Sequence, residues 1–205
     1  MSETADVANN LPAIILLSFW WAFLSMLELL SRQGDPTHRP CAGGQAGAAQ
    51  APEDEPDFPE LREVEPDFRA SAFLQGACRA YEEILRAYAL CDAKALQVLL
   101  SAEVFRAFMD AFEARSAQGE TLELTFVGIQ SAAIAGVEVR SEAVEIAVLF
   151  RAQVIQAERS SDGDIIRGDP GEVAAVADLW TFSRPRSIGA TSWTVIATGE
   201  PLETP

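Results

Sequence analysis

Apolar positions along the chain fall into three regimes. The first is Leu11–Leu30, LPAIILLSFWWAFLSMLELL, which holds one charged side chain, Glu28. Its apolar residues run all round a helix rather than along one face, the pattern of a membrane span or a fully buried helix. At 1.5 Å per residue the run rises about 30 Å, the thickness of a bilayer's hydrocarbon. Pro12 suits a first helical turn. The residues before the run carry Glu3 and Asp6 but no Lys or Arg, and no small-x-small site follows Leu30. The run therefore reads as an uncleaved anchor, not a signal peptide, with residues 1–10 as a tail and 11–30 as a transmembrane helix. Arg32 and Arg39 follow it and only acid precedes it, which puts the C-terminal bulk on the cytoplasmic side.

In the second regime the period is helical. Phe73, Ala77, Tyr81, Ile84 and Tyr88 recur at steps of three and four from Ala70 onward, while Arg79, Glu82, Glu83 and Arg86 take the other side. Asp92 is placed to cap a short helix with Leu96, Leu99 and Leu100, and Ser101 to cap the next. Phe105, Phe108, Met109 and Phe112 form that helix's apolar stripe, read as core, and Gly119 ends it. The third regime begins after Gly119, where the period drops to two. Leu122, Leu124 and Phe126 alternate, then Val144, Ile146, Val148 and Phe150, with continuation toward Val154 and Ile155. Ser160-Ser161-Asp162-Gly163 is turn chemistry, and Asp169-Pro170-Gly171 reads as a further break. Val173, Val176, Leu179, Trp180 and Phe182 lead to Arg184-Pro185, and Trp193, Val195 and Ala197 alternate at the end. Helices followed by a run of strands predict an α+β domain, an antiparallel sheet with helices on one face, over residues 68–200 with a short tail at 201–205.

Between anchor and domain, residues 31–67 lack that patterning. The first half is Gly, Ala and Pro with almost no large apolar residue, and the second is acidic, Arg62 standing alone against eight Asp and Glu. Such a stretch cannot bury enough surface to fold and is read as a disordered acidic linker. Phe58, Leu61, Val64 and Phe68 interrupt the acid and are candidates to pack on the domain as it begins.

Composition removes several functions. The net charge is −16, a field that repels phosphate backbones and anionic headgroups, so no nucleic-acid partner is expected. The three cysteines, Cys41, Cys78 and Cys91, form no C-x-x-C pair, and His38 is the single histidine. Neither a thiolate metal site nor histidine acid–base chemistry is suggested, and no cofactor is expected. Asp178, beside Trp180, is the one carboxylate that could serve as a base in an apolar pocket, with Arg184 or Arg151 as its alternative structural partner.

Four segments in order resemble one family. They are FLQGACRAYEEILRAYALCDAKALQVLLSAEVFRAFMDAF (Phe73–Phe112), ETLELTFVGIQSAAI (Glu120–Ile134), GDPGEVAAVADLWTFSR (Gly168–Arg184) and SWTVIATGE (Ser192–Glu200). Together they look like the Tim forty-four-like domain family, found at the C-terminus of the mitochondrial import-motor scaffold and in membrane-anchored bacterial proteins of the TimA type. The most specific piece is the D-x-W-x-F-x-R run at Asp178, Trp180, Phe182 and Arg184, coupled to the Trp193 strand. The resemblance implies a cone-shaped fold, related to nuclear-transport-factor-two and cystatin-like shapes, with helices leaning on a curved sheet and enclosing an apolar pocket. The candidate pocket or partner-binding residues are Phe73, Tyr81, Phe105, Phe108, Phe112, Phe150, Trp180, Phe182 and Trp193. It implies a non-enzymatic adaptor at a bacterial inner membrane that binds a protein partner, a lipid or another apolar ligand, with a link to protein translocation or membrane-protein assembly. The alternative is a small-molecule enzyme with Asp178 as base. The charged N-terminal region of the mitochondrial scaffold is missing here, so its chaperone role is not carried over.

Overall fold

The computed structural model describes residues 58–187 and 192–201. The apolar run Leu11–Leu30 lies outside the described residues, as does most of the stretch read as linker. Among the described residues no helix is long and apolar enough to cross a membrane.

Helices come first. They are α1 (Pro59–Val64), α2 (Ala70–Ala89), α3 (Ala93–Leu99) and α4 (Ala102–Ala117). Pro59–Val64 falls inside the acidic stretch, yet Leu61 is fully buried and Phe58, Val64 and Phe68 pack against the core. Pro59 starts this helix, where its missing N–H costs nothing. In α2 the expected face, Phe73, Ala77, Tyr81, Ile84 and Tyr88, is the buried one. Asp92 caps α3, its Oδ1 accepting from the Lys94 and Ala95 amides at 3.1 Å each. Ser101 caps α4 through the Val104 amide at 3.3 Å. The α4 aromatics do not sink into the core as expected: Val104 is buried, but Phe105, Phe108, Met109 and Phe112 are half-buried. The reason is position, because α4 packs at the margin against α3 and β4, with Phe108 and Phe112 leaning on Tyr88 at the end of α2.

Four strands follow: β1 (Thr121–Val139), β2 (Ala143–Arg159), β3 (Ile165–Pro185) and β4 (Thr194–Gly199). They form one antiparallel sheet in the order β1-β2-β3-β4. Strand β1 runs well past Phe126, and three register shifts break its alternation, between Phe126 and Gly128, Ile129 and Ser131, and Ile134 and Gly136. Each inserts one residue and sharpens the local twist, which bends the sheet around α2. The Asp169-Pro170-Gly171 break does not end a strand. Pairing jumps from Asp169 to Ala174 while β2 advances only from Gln156 to Val154, so the break is a bulge within β3. A further shift between Thr181 and Phe182 turns Ala197 outward, although Val195 stays buried.

Residues directly opposite each other in adjacent strands share a face. The inner face carries rows such as Val137–Ile146–Phe182 and Ile134–Val148–Trp180. This face and the buried stripe of α2 form a single core. Among the described residues the expected α+β arrangement holds, helices packed against a four-stranded antiparallel sheet.

Candidate functional site

The D-x-W-x-F-x-R run lies in β3 with its four side chains on the inner face, because a period of two keeps Asp178, Trp180, Phe182 and Arg184 together. Each meets a helix-side partner. Trp180 tilts against Tyr81 at 4.6 Å between ring centroids, and Phe182 meets Phe73 edge-on at 5.8 Å. Arg184 is bonded to Glu65, from the turn after α1, and lies 4.6 Å above the Trp193 ring. Asp178 accepts a hydrogen bond from the Tyr81 hydroxyl at 2.5 Å. Its partner is therefore this phenol, not Arg184 or Arg151 as the sequence suggested. Burial raises the Asp178 pKa to about 6, the Tyr81 hydrogen bond pulling the other way and Glu200 adding to the rise. Burial likewise pushes Tyr81 well above its ordinary value, with the Asp178 charge reinforcing it. The run works as a docking ladder that seats α1 and α2 on the sheet.

Beside that ladder lies a groove of about 930 Å³ between the α1–α2 turn, α2, α3 and the β3–β4 end of the sheet. Phe73, Phe182 and Val195 form its floor, and Trp193 and Phe68 one wall. The other wall is Ala72, Gly76 and Ala80 on α2 with Val98 and Leu99 on α3. Val98 is 78% exposed although apolar. A Cβ added at Gly76 would meet nothing within 4 Å, so the α2 backbone itself is open to an occupant there. The rim holds Arg69 and Arg186 against Asp67, a local excess of positive charge in a strongly acidic chain. The chemistry on offer is apolar contact with a charged edge: among the described residues the lining holds no nucleophile–base pair, and Asp178 is not part of it.

Of the nine aromatic candidates, Phe73, Phe182 and Trp193 line the groove. Tyr81, Phe150 and Trp180 fill the core, with Tyr81 stacked on Phe150 at 4.4 Å. Phe105, Phe108 and Phe112 sit on α4, outside the groove lining. The Ala72, Gly76, Ala80 wall was missed by sequence reasoning. Its signal is three small residues spaced by four on the rim of an amphipathic helix, which marks a flank where another chain can come close to the backbone.

A second polar group lies at the far end of the sheet. Glu158, buried on the inner face, pairs with Arg167 at 2.6 Å, and the Arg115 guanidinium donates to the Tyr88 hydroxyl at 2.5 Å. Burial pushes the Tyr88 pKa up to about 12, with Arg115 opposing and Glu158 adding. The first pair joins β2 to β3, and the second joins the end of α4 to the end of α2.

Helices on one face of a bulged antiparallel meander, with an open apolar groove at one end, define the architecture. The family model described as Tim44-like domain matches residues 57–200, and the chain belongs to that family. Among solved structures it is similar to the intermembrane space region of the chloroplast protein ARC6, at 9% identity and a TM-score of 0.42, covering 62% of this chain and 94% of that one. It is also similar to a SEC-C motif containing protein from Rhodopseudomonas palustris, at 16% identity and a TM-score of 0.29, covering 57% of this chain and 71% of that one. No curated protein sequence matches the chain.

Proposed function

We propose that the protein is a membrane-tethered, non-enzymatic adaptor. Its Tim44-like domain takes an apolar segment of a protein partner, or another apolar ligand, in the groove between α2, α3 and β4. The observation that carries this reading is a groove whose α2–α3 wall pairs the exposed Val98 with the small residues Ala72 and Gly76, with no catalytic set among the described lining residues. The volume suits a compact segment, since ligand sites commonly span several hundred Å³, and the lining offers apolar contact beside five charged side chains, Glu65, Asp67, Arg69, Arg184 and Arg186. The apolar run Leu11–Leu30 supplies the anchor in a bacterial inner membrane, and the domain stands on the cytoplasmic side. The family resemblance favours service in protein translocation or membrane-protein assembly.

The test is site-specific photo-crosslinking from Trp193 in intact membranes, compared with a second copy carrying Gly76→Trp. The side chain's Cβ has open space at Gly76, so the added indole can lie in the groove without displacing backbone or neighbouring side chains at its root. A crosslinked partner that disappears in the filled variant supports the reading, and unchanged crosslinks overturn it. Deleting residues 11–30 is expected to release the chain from the membrane pellet. The enzymatic alternative rests on the raised Asp178 pKa, and retention of any pocket-dependent turnover in Asp178→Asn would end it.

A further inference from the structure

The outward face of the sheet is unlike the solvent side of an ordinary antiparallel sheet. Register places Ala133, Leu149 and Leu179 in one outward row, Gly136, Ala147 and Thr181 in the next, and Ser131, Arg151 and Ala177 in the row on the other side. β4 extends the first two rows with Gly199 and Ala197. A solvated face would alternate to Thr, Lys and Glu at these positions, whereas β2 and β3 read here as near-continuous apolar runs, the mark of strands covered on both sides. None of these outward residues belongs to the core that the helices close. In a chain of net charge −16 the three rows hold a single charged side chain, Arg151, which is exposed.

We propose that this face is the interface of a homodimer, formed when the sheets of two copies stack outer face to outer face. The pattern complements itself. A two-fold axis crossing the strands midway between Ala147 and Leu149 sets Ala147 against the partner's Leu149 and Thr181 against the partner's Leu179, small opposite large. The same axis sets Glu145 against the partner's Arg151. Glu145 also bonds Arg140 of its own copy at 3.0 Å, and Arg140 bonds Glu138 at 2.8 Å, so each pair joins a four-member charge cluster. Isologous contacts of this kind close at two copies. Three strands about 4.8 Å apart contributing about eight residues each at 3.3 Å, with six from β4, cover about 480 Å² per copy and about 950 Å² in total. That is the lower end of specific interfaces, so the dimer is reversible and is favoured where anchors confine the chains to a membrane. The grooves lie on the helical side and stay open, giving an adaptor with two docking sites.

Sedimentation of the full chain in density-matched detergent tests this. The wild type is expected to move from monomer to dimer with concentration, and Leu149→Arg with Leu179→Arg to weaken the dimer by about 100-fold while far-UV circular dichroism is unchanged. If those arginines disturb folding, the charge pair decides, because both positions are already charged. Arg151→Glu weakens association about tenfold, and adding Glu145→Arg restores it. A wild-type chain that stays monomeric throughout, an equally strong dimer in the arginine variant, or no restoration by the charge swap overturns the proposal. Intrachain crosslinks that put residues 1–57 over Leu149 and Leu179 also overturn it.

Discussion

Asp178 gives the residue scale its sharpest prediction. Its carboxyl titrates near 6 in the folded chain against an ordinary value of 3.8, because the site beside Tyr81, Phe150 and Trp180 excludes water. A raised folded value means that the protonated form favours folding. This contribution is complete below the unfolded pKa and fades as pH rises from about 4 to about 6, by up to about 3 kcal/mol. Urea unfolding of wild type and Asp178→Asn at several pH values isolates the effect. The variant is expected to gain on the wild type across that window and to hold its advantage above it. Gly168 gives a second prediction. Its φ is +73°, and a Cβ there would lie 2.2 Å from the Gln156 carbonyl oxygen across the strand pair. Gly168→Ala is expected to cost about 2–4 kcal/mol by thermal or urea unfolding, since it meets both backbone strain and a clash. Gly76→Ala runs the other way. In an exposed helix interior with open space around it, the substitution is expected to stabilise by up to about 1 kcal/mol.

At the scale of elements, the legible parts of the sequence were those whose pattern is local. The α2 stripe, the Asp92 and Ser101 caps, and the alternation of β2 depend on neighbours within a few residues, and each stands where it was read. Strand β1 was legible only to Phe126, because each bulge inserts a residue and resets the phase of the alternation. The acid of α1 hid its apolar contacts, although Leu61 is fully buried. Aromatic spacing on α4 identified an apolar face but not its depth, which depends on how far the helix sits from the sheet. The docking ladder on β3 is the element that most holds the fold together. Trp180 is 4% exposed and touches both Tyr81 and Phe150, so Trp180→Ala is expected to lose about 3–5 kcal/mol and to loosen α2. Hydrogen exchange would show that loosening as faster exchange of the α2 amides than in the wild type.

For the whole molecule, a net charge of −16 makes self-repulsion a global term. Raising salt from low ionic strength to about 0.5 M NaCl is expected to raise the unfolding temperature by a few degrees, because screening relieves like-charge repulsion. Exposed pairs such as Arg86–Glu82 and Arg159–Glu123 are expected to offset little of that gain, as surface ion pairs contribute little. The Glu65–Arg184 pair is half-buried and ties the first turn of the domain to the end of β3, so Glu65→Gln is expected to lower stability more than Glu82→Gln.

The order of helices and strands from Ala70 onward, the helix caps and the apolar stripe of α2 were determined by the sequence itself. Each follows from periodicity and side-chain chemistry over short spans. Tertiary structure alone decided which phenol meets Asp178, 97 positions away in the chain. It alone also decided that Phe73 and Phe182, from the core, and Trp193, half-buried, border a groove that Tyr81, Phe150 and Trp180 do not line. The physical reason is that these contacts join residues far apart in the chain, and strand register together with the seating of the helices on the sheet decides which of them meet.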